Sequence, residues 1–189
     1  GRSARLVTDL GTDLTFTIEG REREWKAVDQ PYKLSRLARS RLYGGVFPTG
    51  EVNVAPVEGT ANGTAIIDVS MHLVKNRWLD QPIKLVIKDS HIESIEGGYD
   101  AELLKKYLEK YGDENAYYCP AEASVGCNPA ARFIGNQKED KNVLGSIHIG
   151  IGTNEDIGGT VISKIHIDGV ISRPTLIVDD RVIIDHGAV

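Results

Sequence analysis

The sequence predicts an α+β domain dominated by a curled or barrel-like sheet, mixed or antiparallel, with one main helix. Three observations lead to this prediction. Several short runs alternate apolar and polar residues, one segment has a helical period, and 20 glycines supply turns and bulges. At 189 residues the chain is long enough for one domain with a substantial core, and no composition shift marks a linker.

The alternating runs predict strands. In "LTFTIEG", Leu14, Phe16 and Ile18 share one side. Similar runs are "EVNVAPVEG", where Val52 and Val54 are expected to face the core, "GTAIIDVSMHLV", "PIKLVIKDSHIESIEGG" and "TLIVDDRVIIDHG". In the last two, the pairs Asp89-Ser90 and Asp179-Asp180 separate β-rich halves, which predicts two hairpins.

The helical segment is "DAELLKKYLEKYGD", which predicts a helix at about 100–111. Its leucines and tyrosines recur with the 3.6-residue period, Asp100 is the predicted N-cap, and Gly112 is expected to end it. A weaker helical pattern covers Lys33–Leu42, within the basic cluster "KLSRLARSRLYGG", which is interpreted as a solvated face.

Composition excludes some classes of function. The net charge of -5 gives no electrostatic support for nucleic-acid binding. No apolar run approaches the ~20 residues of a membrane span, and no signal peptide is present, so a cytoplasmic location is expected. The two cysteines, Cys119 and Cys127, are interpreted as ordinary thiols of a reducing compartment.

Two predicted strands carry histidines opposite isoleucines. In "SKIHIDGVI", His166 and Asp168 share one face, because side chains two residues apart in a strand point the same way. In "LGSIHIGIGTN", His148 likewise lies opposite an isoleucine ladder, and the flanking glycine leaves room beside it. An ordinary strand with a satisfied histidine remains an alternative interpretation of each segment.

Two acidic residues extend this group. Glu51 shares a strand face with Asn53, and Glu122 lies in the loop-like "PAEASVGCNP". Imidazole and carboxylate ligands together suit Zn, Co, Mn or Fe(II). Serine-hydrolase, HExxH and phosphate-loop motifs are absent from the sequence, and the remaining histidines have no distinguishing context.

Six segments resemble one family. "GTDLTFTIEGR", "FPTGEVNVAPVEGTANGT", "AEASVGCNPAA", "LGSIHIGIGTN", "SKIHIDGVI" and "PTLIVDDRVIIDHG" occur in an order similar to the C-terminal catalytic region of the aminopeptidase T and aminopeptidase S metallopeptidases. The resemblance implies that residues 1–189 form one metal-binding domain, without the family's N-terminal domain.

The same resemblance implies a dinuclear Zn or Co centre that removes N-terminal residues from peptides. The residues matching the family's ligands are Glu51, Glu122, His148, His166 and Asp168, with one carboxylate bridging the metals. Glu51 and Glu122 are also expected to act in catalysis, and the family implies a homo-oligomer, such as a dimer. The leading prediction is therefore a metal-dependent, cytoplasmic aminopeptidase-like hydrolase acting on a peptide or small-molecule substrate.

Two alternatives stay open, because the tyrosine expected after the first histidine is missing and Glu155 lies near its place. The related 2,5-dihydroxypyridine 5,6-dioxygenase resembles this family but uses a His…His-x-Asp triad on one Fe(II), which His148, His166 and Asp168 would match. The other alternative is a β-rich structural or assembly domain without enzymatic activity.

Overall fold

The computed structural model describes residues 1–22, 24–26, 49–74 and 76–189. The predicted helix at Lys33–Leu42 and its basic cluster lie outside these residues. The strands are β1 (Ser3–Val7), β2 (Asp13–Thr17), β3 (Glu24–Lys26), β4 (Glu51–Val54), β5 (Asn62–Ile67), β6 (Ile83–Lys88), β7 (His91–Glu96), β8 (Ala123–Gly126), β9 (Ile147–Gly152), β10 (His166–Ile171), β11 (Thr175–Val178) and β12 (Arg181–Ile184). The helices are α1 (Tyr99–Tyr111), α2 (Gln137–Asp140) and a 3-10 turn at Glu155–Ile157.

The strands form two open sheets. One has the order β12-β11-β1-β2-β5-β6-β7 and the other the order β10-β9-β8-β4-β3. Neighbouring strands in both sheets run antiparallel. This architecture confirms the β-rich α+β class with one main helix, while neither sheet closes into a barrel within the described residues.

Both predicted hairpins are present. Asp89-Ser90 joins β6 to β7, and Asp179-Asp180 joins β11 to β12. All four turn residues have positive φ, between 47° and 64°. Two-residue turns of this kind match the right-handed twist of the strands that they connect.

Helix α1 ends at Gly112 as predicted, but its N-cap is Gly98 rather than Asp100. The Asp100 carboxylate is used elsewhere: it accepts a 2.6 Å hydrogen bond from Arg77 and one from the Asp80 amide. A tertiary ion pair has therefore drawn this side chain away from the capping position. Leu104 and Leu108 bury the apolar face of the helix against β6 and β7.

One hydrophobic core joins the two sheets. Leu6, Leu14 and Ile67 from the larger sheet pack in the same cluster as the β9 isoleucines Ile149 and Ile151. The isoleucine ladder of β9 thus faces the core, as its alternation predicts. Because side chains alternate along a strand, His148 lies on the opposite face of the smaller sheet.

Strand β4 is oriented opposite to the prediction. Glu51 and Asn53 are the buried residues, whereas Val52 is 37% exposed. The alternation is as predicted, with Glu51 and Asn53 on one face of the strand and Val52 on the other. The assignment of Val52 and Val54 to the core is wrong. The face of Glu51 and Asn53 is buried because it carries the polar cluster described below.

Candidate metal centre

The five residues singled out in the sequence come together on one face of the smaller sheet. Glu51 begins β4, Glu122 directly precedes β8, His148 lies in β9, and His166 and Asp168 lie in β10. These four strands are neighbours in the order β10-β9-β8-β4. Residues far apart in sequence therefore lie side by side, because each occupies the same face of an adjacent strand.

Glu122 is the centre of the cluster. Its Oε1 lies 3.2 Å from His148 Nε2, and its Oε2 lies 3.1 Å from His166 Nε2. His148 Nε2 is also 3.8 Å from Glu51 Oε2, and His166 Nε2 is 2.9 Å from Asp168 Oδ1. Two groups result, Glu51–Glu122–His148 and Glu122–His166–Asp168, each with its ligand atoms within 4.8 Å of one another.

Gly150 allows this close approach. It lies opposite Asp168 in the β9–β10 pair. A Cβ atom at Gly150 would lie 2.9 Å from Glu122 Cβ and 3.0 Å from His166 Cε1. The room beside His148 that the glycine was expected to leave is thus filled by two members of the cluster.

The imidazole of His166 is fixed in orientation. Its Nδ1 lies 2.7 Å from the carbonyl oxygen of Thr153. A carbonyl oxygen only accepts, so Nδ1 carries a proton and donates it, which directs Nε2 toward Glu122 and Asp168. A backbone carbonyl behind the second ring nitrogen is the usual support of a metal-binding histidine.

Three buried carboxylates give the centre a strong negative charge. Glu51, Glu122 and Asp168 are 6%, 4% and 4% exposed. Burial acts against the charged imidazolium of His166, but Asp168 and Glu122 outweigh it and raise its pKa to about 10. Burial also opposes ionisation of Glu122 and Asp168, yet the neighbouring histidines hold the pKa of both carboxyls well below the usual range.

Without metal, a proton on His166 therefore partly balances the carboxylates. A divalent cation can replace that proton and neutralise more of the charge, because imidazole nitrogen and carboxylate oxygen are the donors that Fe(II), Zn and Co accept. The donor set of the described residues thus fits a divalent metal.

Two functional neighbours were not recognised in the sequence. Lys141 Nζ lies 3.2 Å from Glu51 Oε2 and 3.2 Å from Asp168 Oδ2, and Gln137 Nε2 donates to the same Asp168 oxygen at 2.8 Å. Burial disfavours the charged amine, but the surrounding carboxylates prevail and raise the pKa of Lys141. The available signal was the four-residue spacing of Gln137 and Lys141, which places both on one side of a helical turn.

Other candidates lie outside the cluster. Glu155, near the expected place of the missing tyrosine, is exposed at the start of the 3-10 turn. His72 donates its backbone N–H to the Asp168 carbonyl at 3.1 Å, but the residue is exposed. Cys119 and Cys127 are free thiols, one buried and one exposed, and neither belongs to a metal-binding group of the described residues.

Comparisons with known proteins point to one family. The family model described as 2,5-dihydroxypyridine 5,6-dioxygenase matches residues 1–189. The curated 2,5-dihydroxypyridine 5,6-dioxygenase of Pseudomonas putida (strain KT2440) is 26% identical over 153 residues, which is 76% of this chain and 43% of that protein.

Two solved structures share the fold. The 2,5-dihydroxypyridine dioxygenase structure from Pseudomonas putida KT2440 matches with a TM-score of 0.81 and 21% identity, over 100% of this chain and 55% of that one. Wild-type AmpT from Thermus thermophilus matches with a TM-score of 0.64 and 19% identity, over 93% of this chain and 45% of that one. The chain thus spans about half the length of these relatives.

These comparisons contradict the leading prediction from the sequence. The prediction of an aminopeptidase, hydrolase or metalloprotease is wrong, because the matching family and the curated relative are dioxygenases. The resemblance to the peptidases reflects a shared fold, as the AmpT structure shows.

Proposed function

The chain belongs to the 2,5-dihydroxypyridine 5,6-dioxygenase family, and we propose from this that it forms the Fe(II) centre of an enzyme that opens a dihydroxylated pyridine ring with O2. The observation that carries the proposal is the convergence of His148 and His166 Nε2 on Glu122, beside Asp168. Two histidines and one carboxylate are the ligand types of Fe(II) oxygenases with open coordination positions.

The proposed iron ligands are His148, His166 and Asp168. Bound Fe(II) would supply the redox chemistry that lets O2 react with an aromatic ring, breaking the C5–C6 bond and placing one oxygen atom on each carbon. The side chains around the centre would orient the metal ligands. Gln137 and Lys141 hold Asp168 Oδ2, which leaves Oδ1 as the oxygen on the His166 side.

Glu122 is the proposed proton acceptor. Ser124 donates its hydroxyl to Glu122 Oε1, while Oε2 faces His166 Nε2. With a metal held at His166 Nε2, Glu122 Oε2 would be the oxygen available to accept a proton from a ring hydroxyl. Glu51 completes the negative side of the centre next to His148. Loss of a hydroxyl proton would make the aromatic ring more electron-rich, which favours its reaction with O2.

A purely structural role explains the site poorly. Lys141 and a protonated His166 supply two positive charges against three buried carboxylates, which leaves a buried negative charge that a bound divalent cation would compensate. The metal is proposed to be Fe(II) rather than the Zn or Co first expected, because the chemistry of the family is oxygenation.

The experiment measures oxygen uptake by the chain, which is first loaded with Fe(II) under anaerobic conditions before O2 is admitted. Addition of 2,5-dihydroxypyridine is expected to consume one O2 per ring opened, and His148→Ala and His166→Ala are expected to abolish it. Glu155→Gln, an exposed position, serves as the matched control and keeps the wild-type rate. Iron-loaded chain that consumes no O2 with this ring, or an unaffected His166→Ala variant, contradicts the proposal.

The proposal also covers the oligomeric state and the cellular location of the protein. The domain is proposed to act as the metal-binding part of a cytoplasmic homo-oligomer with a small-molecule substrate. The free thiols of Cys119 and Cys127 support a reducing compartment, and the exposed Val182 and Ile183 on edge strand β12 support self-association. No helix among the described residues has the length and apolarity to cross a bilayer.

A further inference from the structure

We propose that a polar pocket beside Asp168 binds the carboxylate that ring opening creates, and so takes up the anionic end of the product. The inference rests on the proposed function, which identifies the reaction, and it adds a binding site outside the metal centre. The volume of the pocket is about 340 Å³, and cavities that hold small molecules begin at about 300 Å³. The lining residues are His72, Val74, Asn76, Asn136, Gln137 and Lys138.

The wall of this pocket is joined to the metal centre through Asp168. Gln137 Nε2 donates to Asp168 Oδ2 at 2.8 Å, and the His72 backbone N–H donates to the Asp168 carbonyl oxygen at 3.1 Å. Both segments that line the pocket, the connection between β5 and β6 and the start of α2, are therefore anchored to a proposed iron ligand. A product that leaves the metal past Asp168 would enter this pocket.

The polar groups of the pocket suit an anion. Lys138 is exposed and supplies a positive charge, and no ion pair involving it is found within the described residues. His72 and Asn76, both exposed, add side-chain N–H groups from the other segment. No aspartate or glutamate is among the described residues that line the pocket. Asn136 already accepts the Lys138 backbone N–H, so the available donors are side chains and not the amides of α2.

Ring opening changes the charge of the bound molecule. When the C5–C6 bond breaks and each carbon receives one oxygen atom, C5, which carries a hydroxyl, becomes a carboxylic acid, and C6, which carries a hydrogen, becomes a formyl group on the ring nitrogen. Both atoms of O2 enter the product, so no further oxidant or reductant is needed. The acid loses its proton to water at neutral pH, whereas aromatic hydroxyls are far weaker acids. A pocket with a cation and without carboxylates therefore favours the product over the substrate.

The test measures binding of maleamate, which has the carboxylate and double bond of the product's acid end, by calorimetry to the Zn(II)-loaded chain and to the metal-free chain. Maleamide, in which a neutral amide replaces the carboxylate, is expected to bind about 10-fold more weakly. Lys138→Met is expected to weaken maleamate binding about 10-fold and His72→Phe about 3-fold, whereas Lys138→Arg keeps a cation and the affinity. Lys106→Met, at an exposed lysine of α1, is the matched control and keeps the wild-type affinity.

The outcomes separate this inference from the proposed function. Equal binding of maleamate and maleamide, wild-type affinity in Lys138→Met, or an equal loss in Lys106→Met overturns the role of the pocket and leaves the metal centre untouched. Tighter binding of pyridine-3-carboxylate than of maleamate would assign the pocket to a carboxylated substrate and overturn the product assignment. Binding that depends on Lys138 in a chain that consumes no O2 contradicts the proposed function and the product assignment, while the carboxylate site itself stands.

Discussion

Gly150→Ala is expected to weaken both the fold and the metal centre. The added Cβ would lie 2.9 Å from Glu122 Cβ, 3.1 Å from the Glu122 amide nitrogen and 3.0 Å from His166 Cε1. Carbon atoms pack best at about 3.5–4.0 Å, so these neighbours must move apart by roughly 0.5–1 Å. Overpacking of this kind typically costs about 1–3 kcal/mol of unfolding free energy.

The effect on metal binding is expected to exceed the effect on stability. Ligand positions must be kept to within about 0.2 Å for good coordination, and the substitution displaces two of the centre's residues by more than that. Disturbed support of a ligand typically lowers metal affinity by about 10- to 100-fold. Urea unfolding of the metal-free chain and calorimetric titration with Fe(II) measure the two effects separately.

Gly169→Ala is the matched control. It lies on β10, and its added Cβ would clash with the Ile67 side chain on the core side, away from the cluster. A similar loss of stability is therefore expected with unchanged metal affinity. If Gly150→Ala binds Fe(II) as well as the wild type, or if Gly169→Ala weakens binding equally, Gly150 does not set the geometry of the centre.

Three further predictions concern pH, hydrogen bonding and the core. Because Asp168 and its neighbours raise the pKa of His166 to about 10, its contribution to the stability of the metal-free chain is complete below its unfolded pKa of about 6.5 and is lost as pH rises through 10. Urea unfolding at pH 6 and 10 is expected to show this loss in the wild type and not in His166→Gln; equal losses would refute the assignment. Ser124→Ala removes a hydrogen bond to Glu122, the proposed proton acceptor, and should lower the rate of oxygen uptake while metal affinity in calorimetry stays the same; an unchanged rate would contradict that role. Leu104→Ala should cost about 2–5 kcal/mol in urea unfolding while leaving metal affinity intact, since this fully buried side chain lies on α1, and a loss of affinity would count against the separation of core and centre.

Much of the candidate site could be predicted from the alternation of side chains along each strand. The alternation in β9 and β10 placed His148, His166 and Asp168 opposite isoleucines, and the structure confirms those faces. This alternation indicates which residues share a face of the strand, but it does not indicate which of the two faces is buried. That is why Val52 and Val54 were assigned to the core, although the polar face of β4 is the more deeply buried one.

Long-range contacts account for what the sequence did not reveal. Asp100 fits the pattern of an N-cap, but its carboxylate pairs with Arg77, which no local pattern indicates. Lys141 reaches Glu51 and Asp168 only because the chain before β9 folds α2 over the smaller sheet. The position of Lys141 therefore depends on the path of the segment that connects β8 to β9, and no local sequence pattern specifies that path.

Function was harder to predict than fold for a similar reason. The five cluster residues suit both a peptidase and an oxygenase, because imidazole and carboxylate donors accept Zn, Co and Fe(II) alike. This chain also shares its fold with the dioxygenase structure and with AmpT. The partly buried Lys141 was also missed, because its contact with the cluster depends on its three-dimensional position. The match of His148, His166 and Asp168 to the dioxygenase triad was the sequence signal that agrees with the family found.

The position of the bound metal decides whether His148, His166 and Asp168 are its ligands. Crystals of the chain soaked anaerobically with Fe(II) can be measured at the iron absorption edge, where an anomalous difference map locates iron alone. We expect one peak per chain, in contact with Nε2 of His148, Nε2 of His166 and the carboxylate of Asp168. An absent peak, two peaks within the cluster, or a single peak away from these residues would contradict it.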